Sequence, residues 1–251
     1  MKRPPGVQYG YALGGEAAML DHKAETSGHS RRGRRAGVVV AMLPLVLALT
    51  LSAPAPADEA ARSGPEARRA CGGVQKAKPQ RDVSRGRPPL AIGDSPMLLA
   101  LPNLGEAGYR ANARGCRQYP EGLAVMKSRR RVGRLPRLVV IALGSNASIT
   151  RAHIHEALDI IGRRKRTLGL VTPRELGGGS SSDAEVVRAE AKRHRHRIVL
   201  LDWVKKSAGH SNWFQSDGLH LTLTGAKKFT NMLQRPLRDL PPPPGDRRAV
   251  E

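Results

Sequence analysis

The sequence predicts an α/β fold: a flavodoxin-like three-layer α/β/α sandwich around a mainly parallel five-stranded sheet. Two observations carry this. Between residues 88 and 238, short apolar runs recur, each followed by a stretch with helical spacing, and strands alternating with helices imply parallel pairing. The runs are also continuously apolar, Leu138-Val139-Val140-Ile141-Ala142-Leu143 most clearly, as strands covered on both faces are.

Taken in order, residues 1–57 read as a leader. Residues 1–35 are polar and end in Ser30-Arg31-Arg32-Gly33-Arg34-Arg35. Residues 36–57 carry no charge, with Val38–Leu51 as their apolar heart and Ala55-Pro56-Ala57 behind it. A basic region, an apolar region and a small-x-small site describe a secretory signal peptide. An uncleaved single-span anchor is the alternative, because the charge-free run approaches the ~20 residues that cross a bilayer, although Pro44 weighs against it. On either reading the remainder is exported, secreted or anchored at the outer face of the cytoplasmic membrane, and touches membrane only through that anchor. Residues 58–87 are rich in Ala, Arg, Gly, Pro and Lys without apolar periodicity, which predicts a disordered linker.

The domain then spans 88–238. Leu90, Ala91 and Ile92 form a buried strand, and Gly93 permits a tight exit. Ser95 caps a helix whose first position is Pro96 and whose apolar residues run to Leu104. Residues 109–114 predict a second strand and 120–130 a helix. The run 138–143 is the third strand. Thr150 caps a helix in which Ile154, Leu158 and Ile161 recur at helical spacing. A strand at 167–171, a flexible glycine-serine loop at 177–182, a helix at 183–194, a fifth strand at 198–201 and a last helix at 224–233 complete the domain. Residues 239–251 predict a proline-rich, disordered tail.

Composition bounds the partners. The formal charge of +22 comes from 43 basic against 21 acidic residues, with 32 arginines and 11 lysines. This favours anionic partners such as acidic envelope polymers, phospholipid or nucleic acid. Only eight Phe, Trp and Tyr residues leave few stacking platforms, which argues against specific nucleic-acid binding. An arginine-rich codon bias explains the charge equally well. In an oxidising compartment Cys71 and Cys116 are expected to form a disulfide rather than to ligate a metal or attack a substrate. Such a bridge would tie the entering segment to the loop beside Ser95. No metal or organic cofactor is implied, and a monomer is expected.

Three segments fall after strands or before the last helix, where a parallel sheet gathers its ligand-binding loops: Gly93-Asp94-Ser95, Gly144-Ser145-Asn146 and Asp217-Gly218-Leu219-His220. An Asp and a His three residues apart can be neighbours on one turn. The carboxylate then fixes the imidazole tautomer while the other ring nitrogen faces a serine. Asn146 can offer its amide to a developing oxyanion, a donor whose loss typically costs ~10²-fold or more in rate. Alone, Gly-Asp-Ser would be an ordinary capping loop. Together and in order, the blocks resemble the SGNH (GDSL-type) hydrolase superfamily. The wider run Trp213 to Thr222, with Gly225 beyond, is similar to extracytoplasmic SGNH domains linked to O-acetylation of cell-wall polymers.

That resemblance implies Ser95 as nucleophile, His220 as general base and then acid, and Asp217 as its orienter. It implies an oxyanion hole from the Ser95 amide, a glycine amide of the second block and Asn146. The second block departs from the pattern: in Asn112-Ala113-Arg114-Gly115-Cys116, the family glycine aligns with Gly115 or with Cys116, and Gly115 is the choice here. The expectation is a serine esterase acting on small acyl esters, acetyl first, of a carbohydrate or cell-envelope polymer. The alternatives are an O-acyltransferase using the same triad, and a non-catalytic envelope-binding protein on the same scaffold.

Other residues have plainer readings. His153 and His155 point to different faces of one helix, which disfavours chelation. His194 and His196 belong to a solvated basic end, and His210 to the surface. Trp213 and Phe214 either wall an acyl pocket or anchor the loop to the core. The loop at 177–182 either covers the site or merely connects. The runs Arg129–Arg131 and Arg163–Arg166 either hold an anionic polymer near the site or form solvated faces.

Overall fold

The computed structural model describes residues 71–162 and 166–242. The leader or anchor at 1–57, the linker up to residue 70, the basic positions 163–165 and the tail from residue 243 lie outside the described residues.

Six strands form one sheet in the order β1-β3-β2-β4-β5-β6. They are β1 Gln75–Ala77, β2 Leu90–Gly93, β3 Arg110–Ala113, β4 Leu138–Ala142, β5 Thr167–Val171 and β6 Ile198–Leu201. The five strands from β2 onward are parallel, and β1 pairs antiparallel with β3. Taken in chain order as one to five, the parallel strands lie 2-1-3-4-5, the flavodoxin-like order whose switch point falls between the first and third. Here that crevice is between β2 and β4, paired from Leu90 with Val139 to Gly93 with Ala142.

The sixth strand corrects the five-stranded expectation, and it falls in the stretch expected to be disordered linker. Gln-Lys-Ala has no apolar pattern. β1 is held by backbone pairing of Gln75, Lys76 and Ala77 with Ala113, Asn112 and Ala111. Just upstream, Cys71 bonds to Cys116 with 5.4 Å between Cα atoms, across 45 residues. Closing a loop of that size contributes up to about 4 kcal/mol in the chain-entropy account. The bridge and the edge strand together bind residues 71–77 to the domain.

The helices are α1 Leu101–Glu106, α2 Tyr119–Arg131, α3 Arg151–Ile161, α4 Ser182–Arg193, α5 Trp203–Lys206 and α6 Leu223–Leu233. Strand alternation divides the core in two. Ala91, Leu138 and Val140 face one side, with Leu104, Trp203, Phe229 and Leu233. Leu90, Ile92, Val139 and Ile141 face the other, with Leu123, Met126, Ile154 and Leu158. Both faces of β2 and β4 are therefore covered, which is why these strands read as unbroken apolar runs. Among the described residues no helix is long and apolar enough to cross a membrane.

The cap expected at Thr150 is present, Ser181 and Thr222 cap further helices, and the cap expected at Ser95 is absent. The Thr150 hydroxyl accepts from the His153 amide at 3.3 Å, Ser181 from Ala184 at 3.3 Å, and Thr222 from Gly225 at 3.2 Å. Ser95 does not cap. It is the first residue of a 3-10 helix, Ser95–Ala100, whose N-cap position is Asp94 and which runs on into α1. Pro96 and the tighter turn leave the serine hydroxyl free for another partner.

Candidate active site

The exit from β2 places Ser95 at the carboxyl edge of the sheet, and the loop before α6 brings His220 to it across 125 positions. His220 Nε2 lies 3.0 Å from Ser95 Oγ. On the other side of the ring, His220 Nδ1 lies 2.5 Å from Asp217 Oδ2. The second carboxylate oxygen, Oδ1, accepts from the backbone amides of Leu219 and His220, each at 2.9 Å. Both oxygens are thus committed, and the Nδ1 proton is held on the side facing away from the serine.

Burial alone would raise the Asp217 carboxyl, but the His220 hydrogen bond and the two amides outweigh it, so its pKa lies below the ordinary 3.8. A depressed folded-state value means that the carboxylate's contribution to stability is complete above the unfolded value and is lost as pH falls through the folded one. Urea unfolding of the native chain is therefore expected to lose an increment of stability below about pH 4 that Asp217→Asn does not lose. Parallel curves for the two proteins across that range would count against the carboxylate being ionised here.

The turn carrying these residues is braced from several sides. Phe214 bridges to Leu221, and the Gln215 amide donates to the His220 carbonyl at 2.8 Å. The Gly177 amide donates to the Asp217 carbonyl at 2.7 Å. At Gly218 φ is +68°, and a Cβ there would sit 2.8 Å from Gly177 and Gly178 backbone atoms. The glycine-serine loop is therefore packed against the Asp217–His220 turn. Arg174 adds a brace that no motif announced: Nε donates to the Gly218 carbonyl at 3.1 Å, Nη1 to Ser207 Oγ at 3.0 Å, and the guanidinium lies 4.0 Å from the Phe214 ring centroid.

Asp94, which lies outside the Asp217–His220–Ser95 path, joins the two loops of the switch-point crevice. Its Oδ2 accepts from the Gly144 amide at 3.2 Å, the Ser145 amide at 3.1 Å, Ser145 Oγ at 2.8 Å and Asn146 Nδ2 at 3.4 Å. Burial raises its pKa above the usual carboxylate range against the pull of the Ser145 and Gly144 hydrogen bonds. The structure thus directs the Asn146 side-chain amide to Asp94 and to Ser145 Oγ, the latter at 3.0 Å. Beneath the serine, buried Arg117 donates from Nη1 to the carbonyls of Gly93 and Asn112, at 3.0 and 2.7 Å, and from Nη2 to Asn112 Oδ1 at 2.7 Å. It ties the ends of β2 and β3 together.

The second block shows why its alignment was ambiguous. A Cβ on Gly115 would meet the Cys71 carbonyl oxygen at 2.4 Å, so the disulfide-linked segment itself demands glycine there. Cys116 has φ +52°, the left-handed region that a non-glycine residue rarely enters, and is alone in this among the described non-glycine residues. The glycine-like backbone is at Cys116, while the residue without a side chain is at Gly115.

A cavity of about 30 Å³ is walled by Asp94 and Pro96, the neighbours of Ser95, with Met97, Leu143, Val171, Pro173 and Leu219 among others; Ser95 and His220 do not line it. Trp213 and Phe214 are buried in the core, stacked at 5.7 Å and edge-on at 5.8 Å against Trp203. They anchor the loop, and Trp203 lines the cavity instead. His210 stacks on Trp213 at 4.0 Å, and His153 on Tyr119 at 5.2 Å. His194 is half-buried rather than solvated: with His155, whose Nε2 is 2.9 Å from Glu190 Oε2, it surrounds the fully buried Glu190, which Arg151 and Arg193 also pair.

Comparison with known proteins adds the following. No family model matches the chain. It is 29% identical over 168 residues to the O-acetyltransferase OatA of Staphylococcus aureus strain NCTC 8325, covering 63% of this chain and 26% of that protein. It is 31% identical over 146 residues to the peptidoglycan O-acetyltransferase OatA of Listeria monocytogenes, covering 57% of this chain and 23% of the relative. The chain thus spans about a quarter of the length of these curated relatives. The C-terminal catalytic domain of Streptococcus pneumoniae peptidoglycan O-acetyltransferase A, solved with a methylsulfonyl adduct, superposes with a TM-score of 0.52 at 24% identity, covering 61% of this chain and 94% of that one. The fold is that of the SGNH (GDSL-type) hydrolases.

Proposed function

From this SGNH-type fold and its ordered motif blocks, we propose that the chain is a serine enzyme of acyl transfer, cleaving small acyl esters, acetyl first, on a cell-wall or other envelope carbohydrate polymer. The observation that carries this is the continuous path from Asp217 through His220 to Ser95, at 2.5 and 3.0 Å. Ser95 Oγ attacks the ester carbonyl while His220 Nε2 takes its proton. The ester C–O bond then breaks, the leaving alcohol receives that proton, and an acyl-serine remains. Water or a second hydroxyl, deprotonated by the same imidazole, attacks the acyl-serine and restores Ser95. Throughout, Asp217 holds the tautomer and stabilises the imidazolium.

The oxyanion would be met by the Ser95 amide, an amide of the second block and Asn146. The positive φ at Cys116 supports the register in which its amide stands at the family's glycine position, against the choice of Gly115. Asn146 serves this role by turning its amide from Asp94 toward the bound ester. The cavity of about 30 Å³ has room for roughly the volume of one small group, since a single water centre needs about 10–15 Å³.

A second reading is transfer to a sugar hydroxyl instead of water, and the names of the Staphylococcus and Listeria relatives favour it. Both fates share one acyl-enzyme. The deciding experiment incubates the purified protein with an activated acetyl ester, with and without a chitooligosaccharide, and separates the products. Free acetate alone assigns hydrolysis, and O-acetylated sugar assigns transfer. Neither product, with no acyl-serine trapped at Ser95, would overturn the proposal. Export through residues 36–57 belongs to the same reading, as an acceptor polymer of the envelope requires it.

A further inference from the structure

Four arginines converge at the sheet edge opposite Ser95. Arg87 precedes β2, Arg110 opens β3, Arg129 stands in the last turn of α2, and Arg134 follows that helix. With Pro88 and Pro136 they wall a cleft of about 410 Å³ that no acidic residue lines. Desolvation, and then the charges of Arg110 and Arg134, lower the pKa of Arg129, so these groups feel one another.

Many of the other arginines are spent on partners, and Arg81, Arg85, Arg131, Arg137, Arg235 and Arg238, which have none among the described residues, do not line this cleft. Arg114 pairs with Glu121 at 2.5 Å, Arg188 with Asp202 at 2.9 Å, and Arg197 donates to the Leu158 and Gly162 carbonyls at 2.7 and 3.0 Å. Even Arg130, next to Arg129, donates to the Asp159 carbonyl at 2.6 Å. Among the described residues, the side chains of Arg87, Arg110, Arg129 and Arg134 make no ion pair or hydrogen bond. Nor can the end of α2 absorb them. The Ser128, Arg129 and Arg130 carbonyls already accept from the amides of Val132, Arg134 and Gly133, at 3.4, 2.7 and 3.0 Å.

We propose that this cleft binds a phosphate-bearing ligand, a phosphomonoester or diphosphate group. Guanidinium forks match phosphate oxygens bidentately, and several unpaired guanidiniums facing one space call for a compact, multiply charged anion. A single carboxylate would leave most of the charge uncompensated. The cleft exceeds what one phosphate fills, so the remainder of the ligand lies along the proline walls. The site stands apart from acyl transfer: β2 runs its whole length between the cleft and Ser95.

The test is calorimetric titration of the full chain with pyrophosphate at low ionic strength, where screening is weakest. Saturable binding is expected, weakened at least ~10-fold by Arg110→Gln combined with Arg129→Gln, the scale of one lost charge-assisted contact. Acetate at matched ionic strength should show none. A charge-matched control, Arg131→Gln with Lys192→Gln, removes two exposed cations outside the cleft and should retain binding. If the first pair fails to fold, Arg87→Gln with Arg134→Gln, both exposed, carries the same expectation. Sedimentation with phosphatidic acid vesicles, whose headgroup is a phosphomonoester, against phosphatidylcholine separates the sources. Arginine-dependent capture assigns a lipid headgroup, and pyrophosphate binding without capture assigns a soluble phosphate ester. Absence of saturable pyrophosphate binding, or an equal loss in the charge-matched control, would overturn the proposal.

Discussion

Replacing Ser95 with alanine is expected to lower turnover of a small acetyl ester by roughly 10³-fold or more, with His220→Ala falling as far and the double variant no lower than either. The reason is mechanical. The nucleophile without its base keeps its proton, and the base without its nucleophile has nothing to activate, so the two losses are one loss. On the proposed mechanism, residual rate above water would come from the oxyanion donors and binding. Thermal unfolding should barely move in Ser95→Ala, whose side chain sits at the loop edge, while His220→Ala should lose the increment that its bond to Asp217 supplies. Activity surviving in both variants, with intact folding, would remove the triad.

Gly225→Ala is expected to destabilise the domain by about 3 kcal/mol, at the upper end for forced overpacking. A Cβ at Gly225 would stand 1.9 Å from the Trp213 carbonyl oxygen and 2.8 Å from its carbon. These are backbone atoms, which no rotamer change can move away. The same carbonyl accepts from the Thr222 amide at 2.9 Å, so displacing it opens the strand-like pairing that holds Phe214 to Leu221 and Gln215 to His220. Any folded fraction should therefore also turn over substrate more slowly, through a misplaced His220. Gly73→Ala is the control: nothing lies within 4 Å of its Cβ, and urea unfolding should shift by no more than about 0.5 kcal/mol. Equal midpoints for the two variants would show that the close approach of α6 to Trp213 carries no weight.

The triad was legible because its parts are short and chemically distinctive. Asp217 and His220 are three residues apart, and the distance from carboxylate to ring is set within one turn. Asp94 was read only as part of a motif, without a triad role, and its work as a tie to Gly144, Ser145 and Asn146 depends on partners about 50 positions away. Arg174 and Arg117 gave no signal at all, since their acceptors are mostly backbone carbonyls, which every residue possesses. β1 was missed for the same reason: Gln75 to Ala77 is held by the ladder, not by its side chains. The arginine run at 129–131 was read as one unit, yet Arg129 faces the cleft while Arg130 is spent on the carbonyls that end α3.

By itself, the sequence determined what is local or compositional: buried strands, the cap at Thr150, the Asp217–His220 turn, and a disulfide that only two cysteines could form. Tertiary structure alone decided which groups meet. It set the 3.0 Å between His220 and Ser95, freed the serine from capping, turned Asn146 toward Asp94, bent Cys116 into the left-handed region and gathered four arginines away from the serine. The physical reason is that pattern and propensity act over a few residues, whereas approach across 50 to 125 positions depends on how the whole sheet is ordered and twisted.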